Sequence, residues 1–283
     1  MEESAPDRYG VVGFPVSHSR SPFIHGMFAR QTAQNMEYRL YEIPPVAFRT
    51  EVGRFFAEGG SGLNVTVPHK VAAADFATEL TPRAERAGAV NTLAMQHGRV
   101  LGDNTDGTGL VRDLTANLQI EMAEKRVLIL GAGGATRGIL GPLLELGLDE
   151  LVVANRTAER ARDLVTPFSD LGKVRGCDYD DLPVRPFDLV IHATSAGLEG
   201  KVPKINPAVI GPATVCYDLS YGKGDTPFVK WAWDQGCARA VEGWGMLVEQ
   251  AAESFALWRG VRPDTAPVLA VLESKSDSFF SGK

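Results

Sequence analysis

Cysteine is scarce in this chain: Cys177, Cys216 and Cys237 are the only three among 283 residues. An odd number, widely spaced and without a CxxC pair, excludes a disulfide framework and reads as buried free thiols. Histidine is nearly as rare, with five residues and no HExxH-like spacing, so no metal site is expected. No apolar run approaches the length of a membrane span, and the opening MEESAPDRYG is acidic and lacks an apolar signal core. A cytoplasmic protein with no membrane contact is expected. Basic runs are missing too: 29 Lys and Arg against 35 Asp and Glu give a formal charge of −6, which argues against nucleic acid as a partner. Internal repeats and low-complexity linkers are absent. What remains, 44% hydrophobic and 23% charged residues, is the composition of a folded globular chain long enough for two domains.

The most informative stretch runs from Val127 to Thr157, VLILGAGGATRGILGPLLELGLDELVVANRT. Val127–Leu130 is wholly apolar, as a buried parallel strand requires. In the turn Gly131-Ala132-Gly133-Gly134, missing Cβ atoms let backbone N–H groups approach a pyrophosphate at the start of a helix. The third position of the G-x-G-x-x-G pattern is Thr136 rather than glycine. One helix later a second apolar strand, Leu151–Ala154, ends in Asn155-Arg156-Thr157, where an NAD site would offer Asp or Glu to the ribose. Arg156 suits a 2′-phosphate instead, and Thr157 and Arg160 can complete its surroundings through charge-assisted bonds. The segment predicts a dinucleotide site for NADP. Pro142 falls inside the helix that follows the glycine turn, where it should cost a hydrogen bond and bend the helix.

The first hundred residues alternate strand and helix patterns. Strands are expected over Tyr9–Gly13, Tyr38–Ile43, Gly62–Val67, Ala89–Met95 and Val100–Gly102. Helices are expected from Pro22 to about Ala33, with Ser21 as N-cap, over Val46–Ala57 and near Ala72–Phe76. Asp188–Ala193 and Val215–Leu219 read as later strands of the dinucleotide unit, and a helix starts at Gly245. The last ten residues look like a loosely held tail. Four turns stand out because they follow apolar strands yet carry small hydrogen-bonding side chains: Ser17–Ser21, Asn64–Lys70, Asn91-Thr92 and Asp103–Asp106. Open α/β sheets place ligands at such strand ends. Hydroxyls, amides, a carboxylate and one lysine suit a small polyhydroxylated molecule bearing an acid group.

In order along the chain, GFPVSHSRSPFIH (13–25), NVTVPHK (64–70), GAVNTL (88–93), GDNTDG (102–107), GAGGATRG (131–138), NRT (155–157), TSAGL (194–198) and GMLVEQAA (245–252) resemble the shikimate dehydrogenase family. The resemblance spans about Gly10 to Trp258. It implies an α/β protein of two domains with a cleft between them. These are an N-terminal open α/β substrate domain (1–106, rejoined by C-terminal helices in 245–283) and a Rossmann-type NADP-binding domain (107–244). It implies reversible NADPH-dependent reduction of 3-dehydroshikimate to shikimate on the route to aromatic amino acids, by a monomer or homodimer. Carried over by motif, Ser19 and Ser21 hold the substrate carboxylate, with Tyr221 nearby. Asn64, Thr66, Asn91, Asp106 and Gln250 hold ring hydroxyls, and Lys70 and Asp106 form the catalytic pair. Gly131, Ala132, Gly133, Gly134, Ala135, Asn155, Arg156, Thr157, Arg160, Thr194 and Gly243 line the cofactor. The chain departs from the family at Gly26, where Asn is frequent, and at His69, where an aromatic is common.

Chemistry supports the lysine independently. Hydride reduction of a ketone leaves an alkoxide that needs a proton from a group within hydrogen-bond reach. Asp106, as a carboxylate, would orient Lys70 and bind the reacting hydroxyl. Two alternatives remain open at this point: a relative that also oxidises quinate or uses NAD, and a non-catalytic NADP-binding regulator on the same fold. Serine at Ser21, where looser relatives tend to have threonine, favours shikimate by resemblance.

Overall fold

The computed structural model describes residues 5–194, 202, 204–222 and 224–274. The chain divides into two compact units, Met1–Gly109 with Val248–Val268, and Leu110–Leu247 with the stretch from Leu269. Relative to the expected boundaries, the division falls three residues later at each crossing. The stretch from Leu269, expected with the first domain, groups with the second unit.

The first unit is built on a six-stranded sheet. Its strands are β1 (Asp7–Gly13), β2 (Met36–Glu42), β3 (Gly60–Val65), β4 (Glu79–Leu80), β5 (Thr92–Gln96) and β6 (Arg99–Asp103), in the order β2-β1-β3-β5-β6-β4. β1 pairs in parallel with β2 and β3, whereas β5 runs antiparallel to both β3 and β6. The helices are α1 (Ser21–Gln31), α2 (Phe48–Ala57), α3 (Lys70–Phe76), α4 (Pro82–Ala87) and the start of α5 (Asp106–Arg112). In α2, Phe48, Val52, Phe55 and Phe56 recur at helical spacing and are buried with Val12, Leu63 and Leu93. Ser21 opens α1 without capping it. Arg20 occupies the cap position without a side-chain capping bond, and the Ser21 N–H donates to Ser19 Oγ at 3.3 Å. Of α9 (Trp244–Arg259), the part from Val248 onward belongs to this unit, where Val248, Ala251, Ala252 and Phe255 form its buried stripe.

The second unit carries a wholly parallel sheet of β7 (Arg126–Leu130), β8 (Glu150–Ala154), β9 (Val174–Cys177), β10 (Leu189–His192), β11 (Val215–Asp218) and β12 (Arg239–Glu242). The spatial order β9-β8-β7-β10-β11-β12 is that of a dinucleotide-binding doubly wound sheet, with its switch point between β7 and β10. Val127–Leu130 and Leu151–Ala154 are fully buried, which is why both read as unbroken apolar runs. Helices α6 (Gly134–Leu144), α7 (Ala158–Val165) and α8 (Pro227–Asp234) complete the unit, and α10 (Ala266–Ser274) ends the described chain. Pro142 lies two residues before α6 ends, so the bond it removes is in the last turn. All three cysteines are buried and free. No helix among the described residues is long and apolar enough to cross a membrane.

Candidate active site

In the first unit, strand ends and helix starts bring one set of polar side chains together. Lys70 is the first residue of α3 and Asp106 the first of α5; they form an ion pair whose side chains are 13% and 6% exposed. Asn91 stands at the turn before β5. Its Nδ2 donates to Asp106 Oδ1 (2.8 Å), Thr105 Oγ1 (2.9 Å) and Gln250 Oε1 (3.2 Å). Its Oδ1 accepts from the Thr105 N–H (2.8 Å) and the Thr92 hydroxyl (2.9 Å), which fixes the amide's orientation. Asp106 therefore meets one cation and one amide donor while nearly out of water, an arrangement in which removing either partner is costly.

Asn64, at the end of β3, is likewise held at both ends. Tyr38 donates to its Oδ1 (2.7 Å), and its Nδ2 donates to Ser254 Oγ (2.9 Å) and Thr92 Oγ1 (3.2 Å). Burial pushes the Tyr38 hydroxyl well above its usual range, partly opposed by its bond to Ser21, so it acts as a neutral donor. Ser19 Oγ donates to Ser21 Oγ at 3.2 Å. The chain of contacts Ser19–Ser21–Tyr38–Asn64–Thr92–Asn91–Asp106–Lys70, with Gln250 attached, joins all but two of the expected substrate residues. Thr66 sits just past β3, its N–H bonded to Val12 O (2.9 Å). Tyr221 belongs to the second unit, where its ring lies 4.5 Å from that of Trp244.

Tyr38 and Ser254 were not expected here, and Thr92 and Thr105, which lie in two of the four polar turns, had been given no role of their own. Ser254 carried a faint signal, because it lies four residues after Gln250 and so on the same helix face; its hydroxyl donates to Gln250 O at 3.0 Å. His25 was also missed. It is fully buried, stacked on Tyr38 with ring centroids 4.2 Å apart, and neither ring nitrogen has a hydrogen-bond partner of good geometry among the described residues. Desolvation pushes its pKa down to about 3, only partly offset by Asn64.

In the second unit the glycine turn has the shape a dinucleotide needs. Gly131 takes φ +111°, and a Cβ there would lie 2.9 Å from Thr194 Cγ2 and 3.0 Å from Ala193 O. Gly133 caps α6, and a Cβ added to it would meet none of the described residues within 4 Å, which leaves room among them for an anion at the helix N-terminus. Thr136 explains its departure from the glycine pattern, since its buried hydroxyl donates to Gly131 O at 2.8 Å and ties the turn. Arg156, Thr157 and Arg160 are exposed around the start of α7, and Asn155 Nδ2 donates to Thr157 O (3.0 Å). Tyr179 is a further neighbour: burial raises its hydroxyl pKa and the Arg156 charge opposes that shift. Gly243 follows β12, its N–H bonded to Ser220 O (3.0 Å). Thr194 is placed, whereas residues 195–198 of the TSAGL motif lie outside the described residues. Among the described residues no group of three His, Cys, Asp or Glu could hold a metal ion.

Comparison with known proteins gives a consistent pattern. Family models described as "Shikimate dehydrogenase substrate binding domain", "Shikimate / quinate 5-dehydrogenase" and "Shikimate 5'-dehydrogenase C-terminal domain" match residues 11–93, 113–199 and 243–273. A curated relative from Alkalilimnicola ehrlichii, named shikimate dehydrogenase (NADP(+)), is 54% identical over 94% of this chain and 98% of its own. Among solved structures, an Ael1 enzyme from Pseudomonas putida superposes with TM-score 0.88 at 46% identity, covering 94% of this chain and 98% of its own. Shikimate 5-dehydrogenase from Thermus thermophilus, solved in complex with NADP(H) and shikimate, gives TM-score 0.83 at 31% identity, covering 95% and 99%.

Proposed function

The chain belongs to the shikimate dehydrogenase family, and we propose that it catalyses the reversible NADPH-dependent reduction of 3-dehydroshikimate to shikimate in aromatic amino-acid biosynthesis. The observation that carries this reading is the nearly buried Lys70–Asp106 pair, braced by Asn91 and Gln250. Ser19 and Ser21 receive the substrate carboxylate, with Tyr221 assigned there by resemblance alone. Asn64, Thr66, Asn91, Asp106 and Gln250 hold the ring hydroxyls. The amides of Asn64 and Asn91 are already oriented by their own partners, so ordering them adds little to the cost of binding.

The dinucleotide fits the residues present: the open N-terminus of α6 with Gly131 to Ala135 would take the pyrophosphate, Arg156, Thr157 and Arg160 with neighbouring Asn155 would take the 2′-phosphate, and Thr194 and Gly243 would line the rest of the dinucleotide. When bound, NADPH supplies the hydride. Reduction leaves negative charge on the substrate's carbonyl oxygen, and Lys70 Nζ gives that oxygen its proton. Asp106 holds Nζ in place and accepts a hydrogen bond from the hydroxyl that forms. In the reverse direction the same amine takes the proton back. The protein is a monomer or homodimer of the cytoplasm.

Steady-state NADPH formation with shikimate or quinate, each against NADP+ and NAD+, tests the assignment. Turnover confined to shikimate and NADP+ is expected, and comparable turnover with quinate or NAD+ would replace it by the broader activity. Lys70→Ala should lower kcat by about 10²–10⁴-fold, the usual worth of a general acid, and leave KM for shikimate within a few-fold. A large KM effect at normal kcat would make Lys70 a binding residue only.

A further inference from the structure

Beside the glycine turn, the second unit holds a buried polar chain that the proposed mechanism does not use. His192 ends β10 and Asp218 ends β11, directly opposite each other in register, and both side chains are fully buried. His192 Nδ1 lies 3.0 Å from Asp218 Oδ1, and Nε2 lies 2.7 Å from Thr194 Oγ1. Asp218 also accepts from the Thr226 hydroxyl (2.6 Å) and the Ser220 N–H (3.0 Å), and Phe228 stacks on the imidazole at 4.8 Å.

For a neutral imidazole the network determines the direction of each hydrogen bond: a carboxylate can only accept, so Nδ1 donates to Asp218, Nε2 accepts, and the Thr194 O–H donates to it. With its proton committed inward, the Thr194 oxygen offers only lone pairs to a ligand. Thr194 is packed against Gly131, at the switch point of the sheet. The 2′-phosphate residues follow β8, on one side of the β7 turn, and Thr194 follows β10, on the other. A dinucleotide whose pyrophosphate lies over that turn extends its adenosine toward β8 and its nicotinamide nucleoside toward β10.

Resting on the NADP reading above, we propose that Asp218 and His192 are positioning residues that fix the Thr194 hydroxyl as a hydrogen-bond acceptor for the nicotinamide nucleoside. A ribose hydroxyl or the carboxamide N–H supplies the donor. A phosphate oxygen would be a mismatch, since it too can only accept.

Calorimetric titration of the full-length protein with NADP+ and with adenosine 2′,5′-bisphosphate, which lacks the nicotinamide nucleoside, tests this. Thr194→Val keeps the shape beside Gly131 and removes the oxygen. It should weaken NADP+ by about 5- to 10-fold, the worth of one hydrogen bond, and leave the bisphosphate within about 2-fold. Thr194→Ser should restore affinity. His192→Leu should weaken NADP+ by no more than Thr194→Val does, and the double variant should be no weaker than Thr194→Val alone, because His192 acts through Thr194. His192→Gln, which keeps an acceptor in reach of Thr194, should retain most of the affinity. Equal weakening of both ligands, additive losses, or unchanged NADP+ affinity in Thr194→Val would overturn the proposal. Failure of the unaltered protein to bind NADP+ would overturn the cofactor reading with it. Should His192→Leu fail to fold, the Thr194 pair still decides the matter.

Discussion

Gly109 is a position at which one added methyl group should damage catalysis. It lies one turn after Asp106 on α5, and a Cβ there would stand 2.6 Å from the backbone nitrogen of Gln250 and 2.7 Å from its Cβ. Backbone cannot rotate aside, so α5 and α9 must separate by about 1 Å to reach the 3.5–4.0 Å of an ordinary contact. Two effects on stability then oppose each other: overpacking costs about 1–3 kcal/mol, and replacing a helical glycine by alanine returns up to about 1 kcal/mol. The net is a loss of up to about 2.5 kcal/mol, or a few degrees in Tm. Catalysis should suffer more, because the two helices carry Asp106 and Gln250, which meet through Asn91. A displacement of 1 Å can cost about 100-fold in rate. We therefore expect Gly109→Ala to lower kcat for shikimate oxidation by about two orders of magnitude, with NADP+ affinity unchanged and a modestly lower Tm. Gly53→Ala is the control: its Cβ would first meet Phe76 Cε2 at 4.0 Å, and it should stabilise by about 0.4–1 kcal/mol with normal kcat. A Gly109→Ala protein with full kcat would refute the reasoning, since the helices could then not be in the contact described.

Other consequences can be measured directly. Arg156→Ala should weaken NADP+ by about 10- to 100-fold, the worth of about 1.5–3 kcal/mol in charged hydrogen bonds, and leave NAD+ nearly untouched; equal weakening of both would remove Arg156 from the 2′-phosphate site. His25 should make the protein acid-sensitive. Its native pKa, pushed down by burial to about 3, lies below the ordinary 6.5, so at higher pH both folded and unfolded states are neutral there and nothing is lost. As pH falls below 6.5 only the unfolded state takes up the proton, and stability drops by about 1.4 kcal/mol per pH unit. In urea melts, His25→Phe should therefore gain about 2 kcal/mol relative to the parent between pH 7 and pH 5. An unchanged difference would mean that the ring can be charged in the folded state.

How far these features could be read from residues alone depended on burial. The central strands β1, β7, β8 and β10 are buried on both faces and announce themselves as apolar runs, and the glycine turn after β7 was legible because its context is local. The strands that escaped notice, β4, β9 and β12, are all edges. An edge strand is only half covered, so segments such as VRGC and RAVE carry no apolar run to find. Helix α4 was missed for brevity, at six residues. Ser21 was expected to cap α1 because its residue type suits a cap, but its N–H instead bonds to Ser19, in the turn that the two serines build.

Legible in the residues alone were the class of the protein, the order of its segments and the residue types of its chemistry: one lysine, one aspartate, amides, hydroxyls, and arginines after the second strand of the dinucleotide unit. Those are carried by short motifs, and a short motif is written in consecutive residues. Which of these side chains are bound to which became visible in three dimensions. The Tyr38–Asn64–Ser254 bonds join residues up to 190 positions apart, and the His192–Asp218–Thr194 chain exists because two parallel strands end side by side. Such contacts leave no periodic trace, because a hydrogen bond depends on where two atoms meet in space and a sequence pattern on where residues fall along one chain.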